Sequence, residues 1–126
     1  MRKKQLTNPK IARGGKSHAE GRQAEHLAAL LLMAKGYHIL ARRWRAAPCE
    51  IDILARQNDT LVVVEVKKRG QEMAAGEALA PELQRRLIEA GNAALAWHGG
   101  WAKNLRFDVI LLSPRRFPRH IKNAFF

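Results

Sequence analysis

Asp52, Glu65 and Lys67 are the residues of this 126-residue chain whose types and spacing suit chemistry. They lie on two segments, Glu50-Ile51-Asp52-Ile53-Leu54-Ala55 and Leu61-Val62-Val63-Val64-Glu65-Val66-Lys67, whose alternation and β-branched content predict strands. Between them the turn-forming Gln57-Asn58-Asp59-Thr60 predicts a hairpin. In an antiparallel pair each step away from the turn advances both strands equally, so facing residues have numbers summing to 117 when the turn is centred between Asn58 and Asp59. Asp52 then faces Glu65 and Glu50 faces Lys67, and the side chains of a facing pair lie on one side of the sheet.

Two carboxylates opposite one another, beside the apolar Leu54, Leu61 and Val63, repel and cost stability until something neutralises them. A divalent cation does so. Magnesium is the natural candidate, because it takes one or two carboxylates and leaves other positions for water and substrate phosphate. Lys67 is then placed to contact a scissile phosphate or the attacking water, and the constellation would activate water and stabilise a phosphorane-like transition state. The same acids at a solvated sheet end, balanced by Lys67, Lys68 and Arg69, need no ion. A bulge of one residue would send one carboxylate to the opposite face.

The elements that must position these residues follow from periodicity. Ser17 with Glu20 three residues on forms a capping box, Ala24, Leu27, Ala28, Leu31 and Leu32 recur at helical spacing, and Gly36 ends the pattern. A helix is expected over 18–35. A strand is expected over 37–45, broken by Pro48, ahead of the hairpin. After a loop over 70–76, Pro81 opens a second helix to about 97, with Leu83, Leu87, Ile88, Ala90, Ala94 and Leu95 as its apolar stripe. Residues 105–112 read as a buried strand ended by Pro114, with a short last strand near Ile121. The order is an α/β fold: one mixed sheet with helices packed on its faces.

The balance of 23 Lys plus Arg against 11 Asp plus Glu gives a formal charge of +12, which attracts polyanions and makes nucleic acid the leading partner class. Met1 to Lys16 contributes half of that charge and has too little apolar surface to order itself, so it reads as a flexible basic arm before one domain over 17–126. Arg42, Arg43 and Arg45 around Trp44 combine charge with an aromatic plane, as nucleic-acid surfaces do, although Trp44 also suits the core. Lys68, Arg69, Arg85 and Arg86 are further candidate contacts. A single cysteine and five scattered histidines argue against a zinc site. Cys49 has no evident general base and reads as structural. Asp108 in its apolar strand suits a pairing with Arg106 or a loop amide. Trp97 and Trp101 flank a glycine turn and are expected to cover the end of the core. No apolar stretch is long enough for a signal peptide or membrane span, so the cytoplasm and no membrane partner are expected.

Asp52 followed at a distance by Glu65-Val66-Lys67 resembles the Asp…Glu-x-Lys signature of the restriction-endonuclease-like, PD-(D/E)xK fold. Around it stand Gly21-Arg22-Gln23-Ala24-Glu25, Gly36-Tyr37, Arg42-Arg43-Trp44-Arg45, Glu50-Ile51-Asp52, Val64-Glu65-Val66-Lys67, Arg106-Phe107-Asp108-Val109 and Asn123-Ala124-Phe125. In that order they resemble the YraN family (UPF0102), small bacterial proteins related to the archaeal Holliday junction resolvases. The resemblance covers nearly everything after the arm. It implies a single mixed-sheet nuclease core, an endonuclease activity on DNA, branched DNA included, that needs Mg2+ or Mn2+, and it admits a homodimer. It also implies Asp52, Glu65 and Glu25 as metal ligands, with Glu25 the third carboxylate, and Lys67 as a catalytic assistant. Glu25 near the start of its helix also suits the helix dipole.

The chain departs from the family pattern where Cys49 replaces a glycine and where Gln84-Arg85-Arg86 stands in place of a lysine at the start of the second helix. A metal-dependent endonuclease and a non-catalytic nucleic-acid-binding module that keeps the nuclease fold both satisfy this sequence. An interaction protein recruited to a larger complex is the third class.

Overall fold

The computed structural model describes residues 15–46, 49–68, 80–98 and 100–125. Helix α1 spans Gly15–Ala34, strand β1 His38–Ala46, β2 Cys49–Gln57, β3 Thr60–Lys68, helix α2 Pro81–His98, β4 Asn104–Leu112 and β5 Arg119–Ile121. The expected order of elements holds throughout. Pro48, Arg69, the loop over 70–76 and residues 1–14 of the expected basic arm lie outside the described residues. Gly15 and Lys16, assigned to that arm from the sequence, belong to α1, which therefore starts ahead of the Ser17 cap expected for it.

Gly36 ends α1 as its position suggests. Its φ of +92° lets Tyr37 N–H reach the Leu32 carbonyl and Gly36 N–H the Met33 carbonyl, at 3.0 and 2.9 Å. This is the paired bonding of a Schellman cap, which satisfies carbonyls the helix leaves open.

The five strands form one mixed sheet in the order β1-β2-β3-β4-β5. β1, β2 and β3 are antiparallel neighbours, β5 is antiparallel to β4, and β3 and β4 run parallel from Thr60↔Asn104 to Lys68↔Leu112, joined across α2. A parallel central pair is covered on both faces, which explains the unbroken β-branched run of β3. Leu61 and Val63 pack under α2 with Leu87, Ala90, Ala94, Phe107 and Phe125. Val62 and Val64 pack under α1 with Ala28, Ala29, Leu32 and Ile110.

Two apolar side chains do not go where the sequence suggested. The stripe of α1 that meets the sheet is Ala24, Ala28, Ala29 and Leu32, while Leu27 is 55% exposed. This helix is apolar on most of its circumference, so the sequence does not mark its buried face. In α2 the buried phase through Leu87, Ala90, Gly91 and Ala94 continues to His98, whose ring packs 6.5 Å from that of Trp44, and Trp97 points outward at 77% exposure. Trp101 is half-buried beneath the Arg56 guanidinium, 4.2 Å from its ring centre. Trp44 packs against the α2-side core.

Gly91 is where α2 comes closest to the sheet. A Cβ there would meet Phe107 Cζ at 2.7 Å and Val63 Cγ2 at 3.3 Å. Phe107 is 1% exposed, and its ring lies 5.1 Å from that of Phe125, so it has nowhere to retreat. Alanine gains about 1 kcal/mol of helix propensity over glycine, but overpacking costs typically 1–3 kcal/mol. Gly91→Ala is expected to lower the thermal midpoint, with partial recovery in the Gly91→Ala/Phe107→Leu double variant. A single variant as stable as wild type would show that the helix shifts freely.

Candidate functional site

The β2–β3 ladder keeps the expected register from Gln57↔Thr60 to Ile53↔Val64 and then opens. By the alternation of an antiparallel ladder, the Val66 amide would next pair with the backbone at Ile51. It donates instead to Asp52 Oδ2, at 2.8 Å. The phase of β2 slips at the same point, since Leu54 and Ile51, three residues apart, both face the α2-side core. In β1, Arg43 has a φ of +56° and lies between Arg42↔Ile53 and Trp44↔Ile51, pairs that keep one register, while the register shift of β1 against β2 falls between Ile39 and Ala41. The regular facing of Glu50 with Lys67 expected from the turn therefore does not extend this far. Glu50 is exposed, and Lys67 stands level with Leu111 of β4.

The opening brings the Asp52 and Glu65 carboxyls into hydrogen-bond contact. Burial, then the Asp52 charge, push the Glu65 carboxyl up to about 8, against the pull of Lys67. Burial and the Glu25 charge raise Asp52 to about 6, although the Val66 amide and the hydrogen bond with Glu65 pull the other way. Burial and mutual repulsion thus disfavour the doubly ionised pair near neutral pH. Lys67 Nζ lies 3.5 Å from Glu65 Oε2, and both side chains are largely buried.

These shifts set a sign for stability. An unfolded glutamate ionises near 4.5, whereas folded Glu65 keeps its proton to about 8. Over that window the folded state binds more protons, so stability falls as pH rises and levels off above it. Asp52 adds the same sign between 3.8 and about 6. Glu65→Gln cannot ionise and can still donate to Asp52. In denaturant titrations with a chelator present, it is expected to gain on wild type from pH 5 to pH 8, by on the order of a few kcal/mol. Parallel pH profiles for the two proteins would refute a raised pKa at Glu65.

Glu25 reaches toward the site from α1, but its Oε1 accepts from Arg43 Nε at 2.8 Å, with 13% of the Glu25 side chain exposed. Among the described residues, no three His, Cys, Asp or Glu side chains converge as a ready metal cage. Asp52 and Glu65 form the central pair, and Glu25 acts on Asp52 through its charge. Two largely buried carboxyls whose double ionisation Lys67 does not fully offset suit a hard divalent ion, which needs no more than two.

The candidate basic contacts are spread around this pair. Arg42 and Arg45 are exposed on β1, whereas Arg43 is tied to Glu25. Arg85 and Arg86 both pair with Glu82 along α2. Lys68 lines a groove between α1 and the segment after β4. Arg69 lies outside the described residues. Cys49 Sγ donates to the Arg86 carbonyl at 3.6 Å, and burial and the Glu65 charge raise its pKa, which makes it a poor nucleophile.

Asp108 heads a second buried network. Arg106 donates to both its oxygens at 2.9 and 2.8 Å, His120 Nε2 lies 2.7 Å from Oδ2, and the Asn123 amide donates to Oδ1 at 3.0 Å. Arg106 continues to Tyr37 and Gln57, and Lys35 Nζ lies 2.6 Å from His120 Nδ1. Both partners expected for Asp108, Arg106 and a loop amide, are present. The spacing of Arg106 and Asp108 on one strand face signals their pairing, whereas nothing in the sequence signals His120 or Lys35.

A family model described as "Uncharacterised protein family UPF0102" matches residues 24–112. A UPF0102 protein of Parvibaculum lavamentivorans is 46% identical over 123 residues, covering 92% of each chain. One from Bradyrhizobium sp. strain BTAi1 is 49% identical over 106 residues, covering 83% of this chain and 78% of the relative. Among solved structures, that of Archaeoglobus fulgidus Hjc, a Holliday junction resolvase, superposes with a TM-score of 0.51 at 21% identity, covering 78% of this chain and 72% of Hjc. At that identity the likeness concerns the fold: a nuclease-type α/β core. No helix among the described residues is long and apolar enough to cross a membrane.

Proposed function

The chain belongs to the uncharacterised protein family UPF0102, and from its buried Asp52–Glu65 pair beside Lys67 we propose that it is a metal-dependent endonuclease hydrolysing phosphodiester bonds of DNA. The observation that carries this reading is the opened ladder, which concentrates two largely buried carboxyls where strand pairing would otherwise continue. The likeness in fold to a Holliday junction resolvase supports DNA, branched DNA included, as the substrate class. The outward Leu27, Leu30 and Met33 of α1 favour assembly as a homodimer.

In this reading Asp52 and Glu65 would hold Mg2+ or Mn2+, with Glu25 as the third carboxylate. The ion, when bound, supplies Lewis-acid polarisation and a bound water of lowered pKa. The chain's own groups do the rest. Glu65 gives up its proton on loading, so ion affinity rises with pH until Glu65 is ionised. Lys67, held beside Glu65, orients the attacking water and offsets the charge that grows on the phosphoryl oxygens. Arg43 fixes the rotamer of Glu25 at the edge of the site, and phosphate can compete for the same guanidinium.

One observation favours the second reading, a nucleic-acid-binding module without turnover: Glu25 is already engaged by Arg43, and no three-ligand cage is assembled among the described residues. Incubating the protein with supercoiled plasmid and a four-way junction, in Mg2+ or Mn2+ and in chelator, separates the two. Metal-dependent cutting is expected; salt-sensitive binding with every DNA form intact would establish the module.

A further inference from the structure

The turn between β4 and β5 plays no part in the reaction described above, and it leaves the sheet at the same end as the site. Its residues Pro114, Arg115, Arg116, Phe117, Pro118 and Arg119 are all exposed, and Phe117 keeps 92% of its surface in solvent. Burying such a side chain is worth about 1.5–3 kcal/mol, and little of that is realised among the described residues. The turn is also stiff. Prolines stand at both flanks, Arg115 holds a left-handed φ of +64°, and the Arg116 amide bonds to the Ser113 carbonyl at 3.4 Å.

Its position follows from the parallel pairing of β3 and β4. Lys67 and Lys68 stand level with Leu111 and Leu112, so the turn leaves the sheet at the end where Glu65 and Lys67 sit. Lys68, Arg116 and Pro118 share the walls of one groove, of about 840 Å³, with Gln23, Leu27 and Leu30 of α1. Open α/β sheets take their ligands at this end of their parallel strands.

We propose that this turn is a nucleic-acid contact in which Arg115, Arg116 and Arg119 take backbone phosphates and Phe117 stacks on an unpaired base. The substrate is then DNA with a single-stranded or unpaired stretch beside the phosphate to be cut. This rests on the nuclease reading and adds the substrate feature that reading lacks. In a continuous duplex the base faces are covered by their neighbours, and a rigid aromatic ring reaches a face only where stacking is interrupted. Three arginines within five residues match a polyanion in sign, and an apolar protein partner would have to desolvate all three.

The test is equilibrium binding in chelator, so that cleavage does not enter. The probes are a duplex with a short single-stranded gap carrying a fluorescent base analogue, and the same duplex fully paired. Phe117→Ala is expected to weaken binding to the gapped duplex on the order of tenfold, to abolish the change in analogue fluorescence, and to leave the paired duplex within about twofold. Phe117→Tyr should keep all three properties. Replacing Arg115, Arg116 and Arg119 together by alanine should weaken both probes and flatten the salt dependence. Equal binding of Phe117→Ala and wild type to the gapped duplex, or an equal loss on both probes, overturns the proposal. So does a change in sedimentation on removing the ring, which would give Phe117 to a second copy of the chain. If these outcomes accompany metal-dependent cutting that requires Asp52, the nuclease reading stands alone. Phe117-dependent gap binding by a protein that never cuts would overturn only the nuclease reading.

Discussion

Asp52→Asn is expected to fold like wild type and to lose DNA cleavage on the order of a thousandfold, the scale on which removal of one group from a preorganised charged site acts. The variant separates two jobs of one carboxylate. Asp52 Oδ2 accepts the Val66 amide where the ladder opens, and an asparagine oxygen can still do so. Charge is what the substitution removes. Because the raised pKa of Asp52 shows that its ionised form is disfavoured at this position, the neutral variant should be at least as stable as wild type without metal. Asp52→Ala also loses activity, but it leaves the Val66 amide unpartnered and should cost a further 1–3 kcal/mol, roughly. Stability retained or gained while activity vanishes marks a residue kept for function. The measurements are plasmid nicking in Mg2+ alongside thermal unfolding in chelator. Cutting by Asp52→Asn within tenfold of wild type would move the site elsewhere.

What the sequence makes legible is the part that local chemistry determines. Asn58-Asp59 fixes the hairpin register as far as Ile53↔Val64, Gly36 fixes the end of α1, and the unbroken apolar β3 announces a strand buried on both faces. The site departs from that regularity where β2 changes phase between Ile51 and Leu54, on a strand pair that also shifts register between Ile39 and Ala41. Arg43 holds a positive φ there, with no glycine to mark it in the sequence. For this reason the turn-based register puts Asp52 near Glu65 correctly but misplaces Glu50 against Lys67. The Glu25–Arg43 pair spans a helix and a strand, and the sequence offered each residue a different role, one as ligand and one as DNA contact. Leu27 was misassigned because the C-terminal half of α1 is apolar on most sides and conceals its phase, and Trp97 because a place beside a glycine turn does not say which way the side chain points.

Asp108→Ala is expected to destabilise the protein by about 3–5 kcal/mol, the cost of breaking a buried ion pair from one side. Against a total of roughly 5–15 kcal/mol for a domain, this brings the chain close to unfolding at growth temperature. The side chain is fully buried, and its removal strands His120, 4% exposed, and the Asn123 amide, and deprives Arg106 of two charge-assisted bonds. The loss spreads to the C-terminal segment, where Asn123 holds a φ of +53°, the Ala124 amide bonds the Phe107 carbonyl at 2.7 Å and Phe125 packs on Phe107. A double-mutant cycle tests it: Arg106→Ala together with Asp108→Ala should cost clearly less than the two single losses added, because the orphaned guanidinium is gone. Asp108→Ala within about 1 kcal/mol of wild type would refute the network's role. The pH dependence runs opposite to that of Glu65. Burial alone would raise the Asp108 carboxyl, but hydrogen bonds from His120, Arg106 and the Asn123 amide hold it below its ordinary value. Its contribution is therefore present above about 3.8 and lost as pH falls through the folded value, whereas the Asp52–Glu65 pair costs stability as pH rises. One sheet thus buries two acidic centres of opposite sign: Asp108 stabilises the fold by being ionised, and Glu65 ionises only at a cost that a bound cation would relieve.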